Sequence, residues 1–289
     1  MPELPEVETI ALGVHERLRG DRIVEVWFGG HREPFKTPPA RQAQGLEGRR
    51  ILAVHRTGKH IVCELGSPET NQAAHGKPTI GKPEETPAAQ WIVHLGMTGR
   101  LLVTTPDAPP ASHTHARLRL ASGLELRFVD PRRFGRLEFR DLSRGAGFRA
   151  AGDDPLAVTS EEFVRIFRSR RLAIKTALLN QKLLSGVGNI YADESLFRAG
   201  IRPRRLAGRL TGAELERLRL ALREVLGDAI RLGGSSVSDY VDADGMRGFF
   251  QLEHCVYLRT GLPCRHCQTP IRRMVLGGRG THYCPQCQR

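Results

Sequence analysis

The sequence contains no long apolar run and no stretch that is typical of a targeting segment. None of its apolar stretches approaches the ~20 residues that a membrane-spanning helix needs. Its first residues lack the successive basic, apolar and small-residue parts of a secretory signal peptide. These absences exclude the membrane-spanning and secreted classes, so we expect a soluble protein of the cytoplasm.

Acidic side chains are in short supply. The chain has 31 Asp and Glu against 44 Lys and Arg, which gives a net charge of +13 and an isoelectric point of about 10.2. This excess favours a polyanionic partner, and nucleic acid is the commonest one. The alternative is a basic soluble protein without such a partner. The 289 residues suffice for two domains, each with its own core.

The first half of the chain predicts one amphipathic helix and then many short strands. From Pro5 to Leu18 apolar residues recur at three- and four-residue steps, and Gly20 is placed to end the helix. Eight β-rich runs follow: Ile23–Phe28, Arg50–Val54, His60–Leu65, Trp91–Leu95, Leu101–Thr104, Ala116–Ala121, Leu124–Val129 and Arg136–Arg140. Such a series is typical of an antiparallel sandwich or barrel.

Two segments interrupt this order. Gly66–Gln90 is rich in Pro, Gly, Glu, Gln and Thr, and we expect an exposed, mobile loop there. Arg144–Pro155 is rich in Gly, Ala and Asp, which favours a domain boundary. Beyond it the spacing is helical, with capping boxes at Thr159–Glu162 and Thr211–Glu214.

Two further helices are predicted at Ala173–Leu184 and Ile190–Ala199, joined by the glycine-rich turn 185–189. Glycines let main-chain N–H groups approach a phosphate, and Asn189 is placed to cap the second helix while offering its amide. A plain helical hairpin would look similar. The pair is therefore a weak indication of binding to a DNA backbone.

The C-terminal segment has a strong metal pattern. Two Cys-x2-Cys pairs have the spacing of a four-thiolate zinc site: Cys264, Cys267, Cys284 and Cys287. So small a piece has no core of its own, so zinc would supply much of its stability. In the alternative, His266 or His282 replaces one cysteine. We expect Cys63 and Cys255 to be small buried hydrophobes.

The N-terminal residues offer a nucleophile. Removal of Met1 would leave Pro2 with a free α-amine, whose pKa of ~7.7–8.0 lies well below the ~10.4 of lysine. A neutral amine can attack a carbon electrophile and form an iminium, and Glu3 beside it can move protons. The alternative is an ordinary helix start, with proline and acidic residues in the first turn.

Six motifs, in this order, resemble those of the bacterial formamidopyrimidine-DNA glycosylase family and span nearly the whole chain. They are Pro2–Glu8, Gly58–Lys59, His94–Gly99, Asp130–Gly135, Gly186–Ala192 and the four zinc cysteines. Leu4 favours the branch that acts on purine lesions, because the related endonuclease VIII branch usually has glycine there.

The resemblance implies an α+β multidomain fold. Residues 1–145 would form an N-terminal antiparallel β-sandwich with an N-terminal helix, residues 156–250 a helix-two-turn-helix domain, and residues 251–289 a zinc finger. It implies a monomeric DNA glycosylase and abasic-site lyase for oxidised purines, 8-oxoguanine and formamidopyrimidines. The partner would be damaged double-stranded DNA in the bacterial cytoplasm, and the cofactor one structural zinc.

The resemblance also assigns roles to individual residues. Pro2 would be the nucleophile, Glu3 the proton-transfer residue and Lys59 the lysine that touches the lesion and its phosphate. Three residues would fill the space left by the extruded base: Met97, Arg132 and Phe134. Three would bind phosphates: Lys175, Asn189 and Arg279. The alternatives are core packing for Met97 and Phe134, and a solvated charge for each cation.

Two departures from the family pattern leave other functions open. Gly66–Gln90 is longer than usual, and the lesion-covering segment Ser235–Phe249 carries Ser238, Met246 and Phe249 where the best-known version has two lysines and a tyrosine. They concern recognition of a particular oxidised base rather than glycosidic cleavage, so a glycosylase for oxidised pyrimidines is one rival hypothesis. A non-catalytic binder of damaged DNA is the other; it would explain the charge and the zinc but would leave Pro2, Glu3 and Lys59 without a role.

Overall fold

The alternating and helical sequence patterns occupy two separate units in the computed structural model, which describes residues 1–30, 34–68, 85–237 and 239–289. The sandwich unit consists of Met1–Pro2, Glu6–Arg149 and Val237–Arg247. The helical unit consists of Glu3–Pro5, Ala150–Ser236 and Gly248–Arg289. The division into three domains stays a prediction. Within the described ranges, no helix has the length and apolarity to cross a membrane.

In the described residues, the sandwich unit contains helix α1 from Glu6 onward, helix α2 and eight strands. Their bounds are α1 Leu4–Leu18, β1 Ile23–Phe28, α2 Pro39–Leu46, β2 Arg49–Thr57, β3 His60–Pro68, β4 Ala89–His94, β5 Arg100–Thr104, β6 Thr114–Leu120, β7 Glu125–Val129 and β8 Arg136–Asp141. They form two four-stranded antiparallel sheets, in the orders β1-β6-β7-β5 and β2-β3-β4-β8. The predicted sandwich is thus confirmed, and the barrel alternative is wrong.

The core of this unit explains the helical stripe of α1. Val7, Val14 and Leu18 pack in one buried cluster with Trp91 of β4 and Phe128 of β7. β4 is buried along almost its whole length, whereas β5 alternates between buried and half-buried residues. Burial on both faces removes the period-two signal from β4, which explains its continuous apolar run.

Helix α2 is an element that the sequence patterns did not predict. Only Gln42 and Leu46 of its eight residues are buried, so it carries no apolar period. The Gln42 amide is buried and donates to the Thr37 carbonyl at 2.8 Å, while its oxygen accepts from Trp91 Nε1 at 3.1 Å. A buried hydrogen-bonded amide therefore holds this helix to the sheet.

Replacing Gln42 with leucine should lower the free energy of unfolding by roughly 2–4 kcal/mol, because a buried donor and a buried acceptor each lose their partner. Urea unfolding measures the change. The exposed Gln44 lies on the same helix, and Gln44→Leu should stay within about 0.5 kcal/mol of the parent. Equal effects of the two substitutions would contradict this role for Gln42.

The predicted loop Gly66–Gln90 is too long at both ends. β3 continues through Gly66 to Pro68, and β4 begins at Ala89. The two strands remain paired out to Leu65 and Ala89. The expected loop was wrong for these end residues because polar and small residues can still complete a sheet ladder. Residues 69–84 lie outside the described part of the chain.

The helical unit contains helices α3 Ser160–Phe167, α4 Ile174–Leu178, α5 Asn189–Arg198 and α6 Gly212–Arg231. Both predicted capping boxes are confirmed, at Thr159 with Glu162 and at Thr211 with Glu214. The helix predicted to reach Leu184 was wrong beyond Leu178. Asn180 Oδ1 accepts from Lys182 N at 3.0 Å, and this local turn replaces the next helical turn.

The C-terminal part of the helical unit contains a two-stranded antiparallel hairpin, β9 Arg272–Leu276 and β10 Arg279–Tyr283. Gly277 and Gly278 connect the strands with φ of 54° and 73°. Positive φ at both positions is the requirement of the tight hairpin turn whose twist matches its strands. The turn places Arg279 as the first residue of β10.

Candidate active site and nucleic-acid interface

The first turn of α5 is capped by the N-terminal segment of the chain. The buried Glu3 carboxylate accepts from Ile190 N at 3.2 Å and from Tyr191 N at 3.5 Å. Gly188 precedes the helix and provides no side-chain cap; a Cβ there would lie 2.1 Å from Glu3 Cδ. Only glycine leaves space for the carboxylate, which meets the positive end of the helix dipole.

Asn189 is not the cap that the sequence predicted. It is the first residue of α5, and its Nδ2 donates to the Gly280 carbonyl at 3.0 Å. The expectation was wrong because a carboxylate distant in sequence occupies the capping position. The Asn189 amide instead ties α5 to the residue that follows Arg279. Leu4 N also donates to the Gly186 carbonyl at 3.0 Å, which fixes the segment around Glu3.

Pro2 and Lys59 both belong to the sandwich unit, and both are buried. Lys59 lies in the two-residue loop between β2 and β3, where Gly58 has φ of 62° and Thr57 pairs with His60. The hairpin geometry, rather than a helix or a flexible loop, thus positions this lysine.

Two histidines lie beside this loop, His60 and His94, and the sequence motifs predicted a role for neither. Burial lowers the pKa of His94 to about 4, and the Lys59 charge contributes to the shift. Burial likewise lowers the pKa of His60 to about 4, and the two rings lie 4.8 Å apart. His94 Nδ1 accepts from Gly96 N at 3.1 Å. Both rings are therefore neutral at pH 7 and add no positive charge beside Lys59.

The three predicted gap-filling residues lie on two loops of the sandwich unit. Met97 is 42% exposed and Phe134 is 49% exposed, so core packing is excluded for both. The Arg132 guanidinium lies 4.9 Å from the centre of the Phe134 ring. The structure therefore presents an apolar, a cationic and an aromatic side chain at its surface.

Asp130 joins these two loops, and the family motif Asp130–Gly135 did not predict a separate role for it. It is fully buried; Oδ1 accepts from Thr98 Oγ1 at 2.6 Å and Oδ2 from Gly135 N at 2.7 Å. Gly96 has φ of 61°, and a Cβ there would lie 2.5 Å from the Phe134 carbonyl carbon. A sequence signal existed, since Asp130 directly follows the apolar pair Phe128-Val129 at the end of β7, and a buried acid needs hydrogen-bond partners.

Lys175 does not present its charge at the surface of the described structure. Its ammonium is fully buried and contacts Asp193 Oδ1 at 2.7 Å, Thr281 Oγ1 at 2.9 Å and the Gly280 carbonyl at 3.0 Å. The contacts to Thr281 and Gly280 are hydrogen bonds, and the contact to Asp193 is an ion pair. Burial lowers its pKa, and Asp193 opposes the shift. Lys175 holds the β9–β10 hairpin to α5, whereas Arg279 is exposed.

The four predicted zinc ligands lie together. Their Sγ atoms are all within 4.8 Å of one another, with Cys264–Cys287 at 3.9 Å and Cys267–Cys284 at 3.5 Å. Tetrahedral zinc with Zn–S bonds of ~2.3 Å requires sulfur atoms ~3.8 Å apart, so the donors fit the ion. His282 Nδ1 faces Asp193 Oδ2 at 3.2 Å rather than this cluster. Cys63 is buried in the sandwich core as expected, and Cys255 is half-buried.

Three family models match successive parts of the chain. The formamidopyrimidine-DNA glycosylase N-terminal domain matches residues 1–137, its H2TH domain matches 152–241, and the zinc finger found in FPG and IleRS matches 261–289. The chain belongs to the formamidopyrimidine-DNA glycosylase family. This family is one of DNA glycosylases and abasic-site lyases, so the chain is an enzyme, and the predicted structural zinc is confirmed.

Curated relatives match over full length. The formamidopyrimidine-DNA glycosylases of Solibacter usitatus and Ralstonia nicotianae are 42% and 43% identical, and each comparison covers 100% of both chains. Solved structures also match over nearly the full length. The Lactococcus lactis enzyme bound to DNA containing Fapy-dG has a TM-score of 0.84 at 31% identity over 100% of both chains. The Thermus thermophilus protein has 0.80 at 38% identity, covering 99% and 98%.

Proposed function

We propose that the chain excises oxidised purines from duplex DNA and cuts the strand at the resulting abasic site, through an iminium formed with Pro2. The observation that carries this proposal is the anchored N-terminus. Two main-chain N–H groups of α5 hold the Glu3 carboxylate, and Glu3 is bonded to Pro2. A nucleophile restrained in this way loses little freedom when the substrate binds.

The chemistry follows from a secondary amine. Once Met1 is removed, the lone pair of Pro2 attacks C1′ of the damaged nucleoside, the C1′–base bond breaks, and the base leaves with a proton. The nitrogen then loses its proton, which leaves C1′ bonded to both the nitrogen and the ring oxygen O4′. The C1′–O4′ bond breaks as O4′ takes up a proton, and the nitrogen and C1′ form an iminium. The iminium withdraws electrons and makes the 2′ protons acidic. Loss of a 2′ proton expels the 3′ phosphate, and a second elimination expels the 5′ phosphate.

Glu3 and Lys59 supply the proton transfers in this scheme. Glu3 lies next to the nucleophile in the chain and accepts a proton as the iminium forms. Lys59, held in its hairpin loop beside two neutral histidines, contacts the lesion and its phosphate and donates a proton to the leaving base. The two neutral histidines add no charge there, and the positive charge of Lys59 suits binding to a phosphate.

Met97, Arg132 and Phe134 stabilise the extruded state. Taking a base out of the stack costs a few kcal/mol, and side chains that fill the gap offset part of that cost. Their exposure at the surface of the sandwich unit supports this role. Arg132 over the Phe134 ring brings a cation and an apolar surface to the same place.

The Asp130 carboxylate should be needed to keep these side chains in place. Asp130→Ala removes both of its bonds to the two loops, and misplacement of such loops lowers reaction rates between about 10- and 100-fold. Single-turnover excision from a duplex carrying 8-oxoguanine measures the loss. Asp107→Ala is the control, since Asp107 is an exposed acid of the same unit. Unchanged excision by Asp130→Ala would contradict the role.

Arg279 is the phosphate contact that the geometry supports best, because it is exposed at the start of β10. Asn189 would assist through the main chain of Gly280, to which its amide is bonded. Lys175 would reach a phosphate only by exchanging one of its three internal partners, so we propose that it supports the hairpin. Removing Arg279 should lower the salt slope of DNA binding by ~0.9.

The lesion class rests on the relatives. The Lactococcus lactis protein has been solved with DNA containing Fapy-dG and with DNA containing an abasic site. It has also been solved with DNA containing an oxidised pyrimidine, which keeps that lesion as the second candidate. Excision rates on matched duplexes with 8-oxoguanine, Fapy-dG or an oxidised pyrimidine opposite cytosine decide between them. Faster release of the pyrimidine would overturn the purine assignment.

A further inference from the structure

One cavity of the sandwich unit is not used by the chemistry above. It has a volume of about 490 Å³, within the range of small-ligand pockets. Its lining combines an aromatic ring, a cation and bare backbone: Trp27, Gly29, Gly30, His113, Thr114, His115, Pro131 and Arg133. The two glycines add no side chain to it, so the space beside the indole stays open.

Trp27 is an unusual residue for an exposed strand position. It is 41% exposed, whereas the only other tryptophan, Trp91, is 1% exposed. The Arg117 guanidinium, opposite Trp27 in the β1–β6 ladder, lies 4.7 Å from its ring centre. The neighbouring carboxylate of Glu25 is paired with Arg119 at 2.9 Å. The charge next to the indole is therefore positive.

The cavity is continuous with the loop that carries the gap-filling residues. Arg133 lines it and lies between Arg132 and Phe134 in the chain. Arg133 has φ of 57°, and His113 across the cavity has φ of 66°; in the described residues only two other non-glycine residues have positive φ. Non-glycine residues held in this region cluster at binding sites, where the surrounding structure maintains them.

We propose that Trp27 and Arg133 line a pocket for an unpaired nucleotide of the bound DNA, with the Arg117 guanidinium beside the indole. The base stacks on the indole and the phosphate pairs with Arg133. A base inside a duplex has both faces covered by its neighbours, so an exposed ring selects an unpaired one. This inference rests on the proposed function, because it takes the Arg132–Phe134 loop to lie at the DNA.

The test compares two probes for each protein variant. One is a blunt duplex with a tetrahydrofuran abasic-site analogue near one end, and the other adds a short single-stranded oligothymidylate extension at that end, in either polarity. Stacking of one base should make the extended probe bind at least ~5-fold tighter to the parent chain. Trp27→Leu should lose that gain, and Trp27→Phe should keep part of it.

The gain is the ratio of the affinities of one variant for the extended probe and for the blunt duplex. A substitution that weakens all DNA binding lowers both affinities and leaves this ratio unchanged. Val24→Thr is the matched control, because Val24 is a similarly exposed residue of β1 that does not line the cavity; its gain should equal that of the parent. Oligothymidylate alone should also quench the fluorescence of Trp27, since Trp91 is buried and bonded to Gln42.

The proposed pocket would be wrong if the extension tightened binding equally for the parent and for Trp27→Leu. It would also be wrong if the extension tightened binding for neither. The proposed function has a separate readout. If the parent chain forms no borohydride-trapped adduct with abasic-site DNA, the iminium mechanism fails. If trapping is normal and the extension gain is absent, only the nucleotide pocket fails.

Discussion

A chain that keeps Met1 should give almost no borohydride-trapped adduct with abasic-site DNA. In that chain the Pro2 nitrogen is part of an amide and has no basic lone pair, so it cannot attack C1′. Loss of a covalent nucleophile lowers rates by roughly 10²-fold or more. The measurement is gel quantification of the trapped complex for two preparations of one sequence, with and without Met1, verified by mass spectrometry.

The two preparations differ by a residue that is half exposed, so their thermal stability should be the same. Equal affinity for a tetrahydrofuran duplex would show that the DNA surface is intact in both. Equal trapping by both would show that the Pro2 amine is not required, and would direct attention to Lys59 or to the α-amine of Met1. No trapping by either would favour the non-catalytic binder of damaged DNA.

Loss of one zinc ligand should unfold the finger. Structural zinc binding contributes ~10–16 kcal/mol in finger peptides, which exceeds the stability of most small domains. Cys284 is fully buried in the thiolate cluster. Cys284→Ser should therefore abolish stoichiometric zinc, expose the amides of residues 261–289 to hydrogen exchange, and weaken binding to a tetrahydrofuran duplex by ~10-fold or more, since one lost hot-spot arginine costs that much.

Cys255→Ser is the matched control, because Cys255 lies in the same unit and outside the zinc cluster. It should retain one zinc and the parent pattern of hydrogen exchange. Retention of full zinc content by Cys284→Ser would show that the ligand set is wrong. Normal DNA binding by a zinc-free finger would instead show that Arg279 makes no important phosphate contact.

Part of the fold was predictable because its signals are local. Turn residues mark the ends of the strands. The predicted bounds of β1 therefore equal the observed ones, and those of the other strands differ by a few residues. Capping boxes depend on two residues three positions apart, and both were found. Helix α2 gave no such signal, because its stability depends on Gln42 reaching Trp91, 49 residues away in the sequence.

The residues of the candidate site were predictable where their signals are local and unpredictable where they depend on distant partners. The zinc ligands follow from spacing alone, and the exposure of Met97 and Phe134 follows from their glycine-rich loops. The surroundings of Lys175 could not be predicted: its partners Asp193 and Thr281 come from α5 and β10. A lysine's charge and approximate position are sequence properties, whereas its burial is decided by the elements that pack around it.

The Pro2-Glu3 pair at the start of the chain separates most clearly what the sequence predicts from what the tertiary structure decides. The sequence by itself determined the residue types, the family motifs and the four thiolates, because these are chemical identities and short spacings. Only the tertiary structure decided that Glu3 caps α5, in place of Asn189, by accepting the N–H groups of Ile190 and Tyr191. An unsatisfied helix end takes whichever acceptor the fold brings nearest, and that acceptor lies almost 190 residues away in the chain.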